Sequence, residues 1–472
     1  MKASTTKEPM PADLSCEAGM SAETVIACAT PPGESALAIV RFTGPMSVAL
    51  VQSIFELGAL PTPRMAHLGY YKSLLGDPID QAVFIYYEAG RSFTGEAMLE
   101  VHAHGNPWIV HKMIEDALQR GCRLAQPGEF TRRAFLNGKM DLAQAEAVAD
   151  MIHARSDQAL KIAQRQLAGE LGQKVAYIVD ELLNISAHIE AYIDFPEEDL
   201  PAEDSAGPRA ALKKVISTLE ALIQSQRYNT RLREGLKTAI VGAPNAGKSS
   251  LLNALLGMER AIVSPEPGTT RDFITETLHI GPHLLQLIDT AGIRTGASAV
   301  ESLGIERAFE KIKEADLILW VVDGSQSPSE CLAASELRHH LVSANTLLIL
   351  NKADLGYNNQ WGQFCEGYSA IQTSLKSEGC AHPIVKTLQE LVEARHLVPP
   401  EELFIINARH GEALILAKKH LDEANNMIYL SDPAELVAAE LQLAIDAIGA
   451  IVGKIDQERM LDKLFSKFCI GK

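Results

Sequence analysis

A chain of 472 residues, 47% apolar and 22% charged, carries enough apolar material for packed cores and is not a disordered chain. Its 43 Lys and Arg against 60 Asp and Glu leave a formal charge of -17, which disfavours a general attraction to nucleic acid or anionic lipid, though not a local basic patch. The cysteines (Cys16, Cys28, Cys122, Cys331, Cys365, Cys380 and Cys469) are odd in number and never spaced C-x-x-C, so they suggest neither a disulfide framework nor a zinc module and fit a reducing cytoplasm. No apolar run approaches the ~18 residues of a membrane span, and the greasiest stretch, Leu317 to Val322, has the length of a buried strand.

Residues 1–20 contain Lys2, Lys7, Glu8 and Asp13 but no apolar stretch, and read as a disordered extension, with Met20 as an alternative start. From Glu23 to about Pro127 short strand-like runs (Thr24 to Thr30, Ala36 to Phe42, Gln81 to Tyr87, Met98 to His102) alternate with turns such as Pro31-Pro32-Gly33, and Val110 to Ala117 reads as helix. This predicts an α+β domain over 21–139. Beyond Asp141, Leu167, Leu171, Val175, Ile178 and Leu182 fall at the spacing of one helical face, and Leu441, Ile445, Ile448 and Val452 repeat it near the C-terminus. Between them, over 235–395, strands and helices alternate as a parallel sheet requires. The expected architecture is a multidomain α/β protein: the N-terminal α+β domain, then a helical domain in two parts, 140–234 and 396–472, interrupted by an inserted α/β domain.

The inserted domain carries three motifs in order. The strand Lys237 to Val241 runs into Gly242-Ala243-Pro244-Asn245-Ala246-Gly247-Lys248-Ser249, a G-x-x-x-x-G-K-[ST] loop, and then into a helical run from Ser250. Backbone N–H groups of such a loop cradle phosphate, the Lys248 ammonium reaches the outer phosphates, and the Ser249 hydroxyl suits Mg²⁺. Strand Leu284 to Ile288 delivers Asp289-Thr290-Ala291-Gly292, a D-x-x-G switch for a metal-bound water and the γ-phosphate. After strand Leu347 to Leu350 stands Asn351-Lys352-Ala353-Asp354, in which Asp354 can accept from guanine N1 and N2 together while Lys352 lies along the base. Adenine offers no such donor pair, so the nucleotide is GTP. Between the first two motifs either Thr269 or Thr270 can complete a Mg²⁺ shell, and Thr373-Ser374-Leu375-Lys376 has the look of a base-closing loop. Ile293 stands where many small GTPases place a water-orienting Gln, so hydrolysis needs another group; Arg294, Glu301 and Glu306 are the nearby polar candidates.

From about Glu23 to Lys472 the sequence resembles the tRNA modification GTPase family MnmE, also called TrmE. The resemblance rests on Ala29-Thr30-Pro31-Pro32-Gly33 with Ile39-Val40-Arg41, on Pro127-Gly128-Glu129-Phe130-Thr131 through Asn137-Gly138-Lys139, and on the terminus Phe468-Cys469-Ile470-Gly471-Lys472. Departures stand at Ala97, where Asp is usual, and Asn106, where a second Gly is usual. The resemblance implies a folate-binding-like N-terminal domain that also dimerises, a helical domain ending in the CIGK motif, and an inserted Ras-like P-loop GTPase domain. It implies work in the cytoplasm with the flavoprotein MnmG, as a heterotetramer, to build a carboxymethylaminomethyl or aminomethyl group at C5 of the wobble uridine of certain tRNAs. The carbon would come from 5,10-methylene-tetrahydrofolate, and 5-formyl-tetrahydrofolate would also bind.

By position, Arg41, Glu100 and Lys139 match folate-contacting residues, joined by the terminal Lys472. Asn245 matches a K⁺ ligand, with Ser264, Glu266 and Thr269 around the same ion, so that Thr270 becomes the Mg²⁺ ligand beside Ser249. Glu301 matches the catalytic glutamate, Lys248 stays with the phosphates, and Cys469 is expected near the folate site, either in the one-carbon chemistry or as a buried thiol. The GTP and GDP site would comprise Asn245, Ala246, Gly247, Lys248, Ser249, Ser250, Ser264, Thr269, Thr270, Asp289, Thr290, Ala291, Gly292, Asn351, Lys352, Asp354 and Ser374. The K⁺ would supply the charge of an arginine finger, with the G domains dimerising. An alternative from another class is a ribosome-assembly GTPase acting as an RNA-binding switch, against which the acidic charge and the CIGK terminus speak. A further one is a folate enzyme with a regulatory GTPase insert that needs no partner.

Overall fold

The computed structural model describes residues 23–194, 206–258, 276–281, 283–288, 312–328, 338–377, 379–394, 404, 406–430, 433–453 and 471. The chain divides into two compact units, Met1–Met140 with Gln457–Lys472, and Asp141–Asp456.

In the first unit, strands β1 (Val25–Cys28), β2 (Leu37–Thr43), β3 (Ala66–Lys72), β4 (Pro78–Tyr87), β5 (Met98–His104) and β6 (Arg123–Leu124) form a sheet of order β3-β4-β5-β2-β1-β6. It is antiparallel except where β1 meets β6. Alternate residues of β2 point inward, so Val40 and Phe42 are buried on one face with Phe84, Leu99 and Val101. Helices α1 (Ser47–Ile54) and α2 (Pro107–Gln119) cover that face with Val51, Ile54, Met113 and Ala117. The opposite side buries Val25, Ala27 and Met98 against Phe130 of α3 (Glu129–Leu136). The sequence reading missed β3, whose residues are mostly half-exposed or exposed, because an edge strand has little apolar signal. Asn106, the departure from the family pattern, has a local explanation: its side chain accepts from Trp108 N at 2.8 Å and caps α2, with Pro107 at the first helical position.

The second unit begins at Asp141, which forms a capping box with Gln144 at the start of α4 (Leu142–His153). Then follow α5 (Asp157–Leu167), α6 (Glu170–Asp194) and α7 (Ala206–Glu234). Leu171, Val175, Ile178 and Leu182 do share one buried face, on α6, but Leu167 closes the preceding helix. The chain turns between them at Gly169, whose φ of +88° no helix accommodates. The inserted part has strands β7 (Leu236–Val241), β8 (Glu276–Ile280), β9 (His283–Leu287), β10 (Leu317–Asp323), β11 (Thr346–Asn351) and β12 (Ser369–Gln372), in the order β12-β11-β10-β7-β9-β8. All neighbours are parallel except β8 and β9. Every residue of β10 and β11 is buried, as expected of central strands covered on both faces. Among the described residues the covering helices are α8 (Lys248–Met258), α9 (Gln360–Phe364) and α10 (Ala381–Ala394). The chain then forms α11 (Ala408–Leu430) and α12 (Ala434–Val452), whose Leu414, Leu421, Leu441 and Ile448 complete the core begun by α6 and α7. Gly471 is grouped with the first unit.

Candidate nucleotide site

The buried strand β7 ends at Val241 and the chain turns sharply at Gly242, where φ is +147° and a Cβ would come within 2.1 Å of the Val321 carbonyl oxygen on β10. Only glycine fits so close an approach. The loop then passes through Asn245, which holds a left-handed φ of +61°, and reaches Lys248 at the start of α8. A helix N-terminus, with its N–H groups and the positive end of its dipole directed at the loop, is suited to an anion. Lys248 Nζ donates to the carbonyls of Gly242 (2.9 Å) and Ala243 (2.7 Å), spanning the mouth of the loop. An ammonium so placed suits an incoming phosphate, which would compete with two neutral carbonyls for it.

The base side is assembled from the ends of β11 and β12. Asn351 braces two loops: its Nδ2 donates to Ala246 O at 2.8 Å, and its Oδ1 accepts from Leu375 N at 3.0 Å. The fit is close enough that a Cβ on Gly247 would stand 2.2 Å from Asn351 Nδ2. Asp354 accepts from the Ser374 hydroxyl at 2.7 Å, and this bond, helped by Lys376 and Lys352, holds its exposed carboxyl below the usual value. Thr373-Ser374-Leu375-Lys376, weak in the sequence, thus lies directly against the Asp354 side chain. Lys352 sits in left-handed backbone (φ +65°) with its Nζ 2.7 Å from Asp323 Oδ2. Burial pushes the Asp323 carboxyl up, but Lys352 and Ser325 outweigh it and leave it below its ordinary value. Sequence reading missed Asp323, although its place at the end of an all-apolar strand was a usable signal. Beside these loops a cavity of about 670 Å³ opens along α8, lined by Ser250, Asn253, Ala254, Leu375 and Cys380 among others.

The structure therefore brings Asn245, Ala246, Gly247, Lys248, Ser249 and Ser250 together with Asn351, Lys352, Asp354 and Ser374. Ser264, Glu266, Thr269, Thr270, Asp289, Thr290, Ala291, Gly292, Ile293 and Glu301 lie outside the described residues, as do Cys469 and Lys472.

In the first unit, Arg41 on β2 and Glu100 on β5 are direct cross-strand partners, with Arg41 Nε 2.8 Å from Glu100 Oε1. Tyr87 donates to Glu100 Oε2 at 3.1 Å, and His102 Nε2, buried and without a hydrogen-bond partner among the described residues, lies 3.8 Å from the same oxygen. Lys139 is engaged elsewhere, donating to Gly90 O at 3.1 Å and lying against Gly95. Tyr87 and His102 were not singled out in the sequence, where His102 was detectable as the same-face neighbour of Glu100, two residues along one strand. Gly471, at φ +93°, packs so that a Cβ would stand 2.6 Å from Cys28 O, which puts the chain's end against β1.

A mostly parallel sheet whose first strand feeds a glycine-rich loop and helix, with an Asn-Lys-x-Asp segment two strands away, defines a P-loop GTPase domain, here set into a multidomain α/β chain. Two family profiles match: one described as the MnmE helical domain over residues 142–469, the other as the GTP-binding protein TrmE N-terminus over 24–139. Among curated relatives, the "tRNA modification GTPase MnmE" of Opitutus terrae is 44% identical over 95% of this chain and 99% of its own length. That of Aquifex aeolicus is 42% identical over 95% of this chain and all of its own. Among solved structures, the FeoB G-domain of Methanococcus jannaschii aligns with 34% of this chain and 98% of its own at 20% identity and a TM-score of 0.25. The chain belongs to the MnmE (TrmE) family of GTPases.

Proposed function

We propose that this chain hydrolyses GTP as one component of a tRNA-modifying complex. With MnmG, it would install a carboxymethylaminomethyl or aminomethyl group at C5 of the wobble uridine of certain tRNAs. The observation that carries this reading is likeness along the whole chain to proteins of that name: 44% and 42% identity, each over 95% of this chain. A shared GTPase domain alone would match only the middle.

GTP binds with its phosphates on the loop 242–249 and its base against Asp354. Mg²⁺ would be held by Ser249 and Thr270, and K⁺ by Asn245, Ser264, Glu266 and Thr269, supplying positive charge beside the phosphates. Glu301 positions the attacking water that Ile293 cannot hold. In the first unit a folate ligand is suited by Glu100, 8% exposed, beside His102 Nε2, which among the described residues makes no hydrogen bond and which a ligand atom can satisfy. Arg41 is the adjacent cation, and Lys139 with Lys472 suits the glutamate tail. The folate supplies a one-carbon unit when bound; the chain's part is to hold and orient it. Homodimerisation and residence in the cytoplasm belong to the same reading. No helix of the described residues is long and apolar enough to cross a membrane.

The test is reconstitution with unmodified tRNA, GTP, 5,10-methylene-tetrahydrofolate and the amine donor, with and without MnmG. Modified wobble uridine is expected only when both proteins are present. Full modification without MnmG, or none at all while GTP is hydrolysed, would overturn the proposal.

A further inference from the structure

Strands β10 and β11 run parallel with Asp323 in register with Asn351, so the residues that follow each strand emerge side by side at one end of the sheet. The turn after β10 is tied down by Gly324 N donating to Asn351 O at 2.8 Å and by Asn358 N donating to Gly324 O at 3.0 Å. The Asp323 side chain is about nine-tenths buried and divides its oxygens. Oδ1 accepts from Ser325 N (3.1 Å) and Ser325 Oγ (2.6 Å), while Oδ2 takes the Lys352 ammonium at 2.7 Å. A lysine stem has several rotatable bonds and is costly to immobilise. Fixed at both ends, by the left-handed backbone and by Asp323, it becomes a flat apolar wall whose charge is turned into the protein.

We propose that Asp323 is a positioning residue for guanine recognition: it anchors the Lys352 ammonium so that the lysine stem stands as a ready-made wall of the base site before nucleotide arrives. This rests on the reading of Asn351-Lys352-Ala353-Asp354 as the base site. Organisation before binding lowers the ordering cost of association, so its loss appears in affinity and not in the chemical step.

Asp323→Asn keeps the shape and the acceptor for Ser325 but removes the charge opposite Lys352. With fluorescent GDP the dissociation constant should rise about tenfold, which is about 1.4 kcal/mol, while kcat at saturating GTP and the melting temperature stay near wild type. In a Lys352→Met background, where there is no ammonium to anchor, the same substitution should leave the dissociation constant unchanged. The inference is overturned if affinity is unchanged in Asp323→Asn. It is equally overturned if the loss persists in the Lys352→Met background, which would make Asp323 a turn residue serving Ser325, or if kcat falls instead. Asp354→Asn, run beside these, tests the underlying reading separately. A gain of xanthine-nucleotide binding there supports the base site whatever Asp323 does, and its absence removes that site and the inference with it.

Discussion

At the scale of residues, the proposed base site depends on a carboxylate kept charged. Ser374 donates to Asp354 and holds its pKa below the usual value, so near neutral pH the side chain is an acceptor with capacity for a two-donor edge. Asp354→Asn replaces one acceptor oxygen by an N–H₂ donor. Guanine nucleotide should bind more weakly, by roughly one to two orders of magnitude, and xanthine nucleotide should be taken up in its place; competition of the two nucleotides for the variant reads this directly.

A second residue-scale feature is the group Glu146, Arg409 and His410 in the helical core. Glu146 Oε2 lies 2.7 Å from His410 Nε2, and Arg409 Nε donates to Glu146 Oε1 at 2.9 Å. Burial raises the Glu146 carboxyl, but His410 and Arg409 outweigh it and bring it to about 2 from an ordinary 4.5. A depressed carboxylate contributes stability that is fully present above the ordinary value and is lost as pH falls through the folded one. The chain should therefore lose stability between about pH 4.5 and 2. Glu146→Gln should already be destabilised at pH 7 by about 3–5 kcal/mol, since it removes the buried carboxylate charge from beside the Arg409 guanidinium, and should show a flatter profile across that range. Denaturant midpoints measured across pH would show it.

At the scale of elements, the same group explains how distant segments are held. Arg409 also donates to the Ala450 and Ile451 carbonyls, so one guanidinium ties α4, the start of α11 and the end of α12. The strand that carries the site is similarly committed: Leu319, in the middle of β10, is wholly buried. Leu319→Ala should cost about 2–5 kcal/mol and be seen as a lowered denaturant midpoint, with nucleotide affinity lost only as the domain unfolds. Motifs such as 242–249 were legible because a single strand-loop-helix carries them and each residue type answers to one local demand. The Asp323–Lys352 pair was not, since it depends on the register of two strands. Nor was the Arg409–Glu146 contact, which joins positions 263 apart in sequence. The helical face running from Leu167 into Leu171 was over-extended because periodicity does not register the break that Gly169 introduces.

At the scale of the whole molecule, the sequence changes from turn-rich to punctuation-poor near Asp141, where the second compact unit begins. The contact of Gly471 with Cys28 was not legible in that change, because nothing local to Gly471 announces it. With Ile293 in place of a water-orienting glutamine, the GTPase domain as proposed works by means of Glu301 and a K⁺ ion. The most direct measurement is GTP turnover by the purified chain in K⁺ and in Na⁺, with Glu301→Ala alongside. Turnover should be at least tenfold faster in K⁺ and nearly abolished in the variant, a loss of roughly 10²-fold or more for a group acting in the transition state. Equal rates in the two salts, with the variant as active as the parent chain, would contradict it.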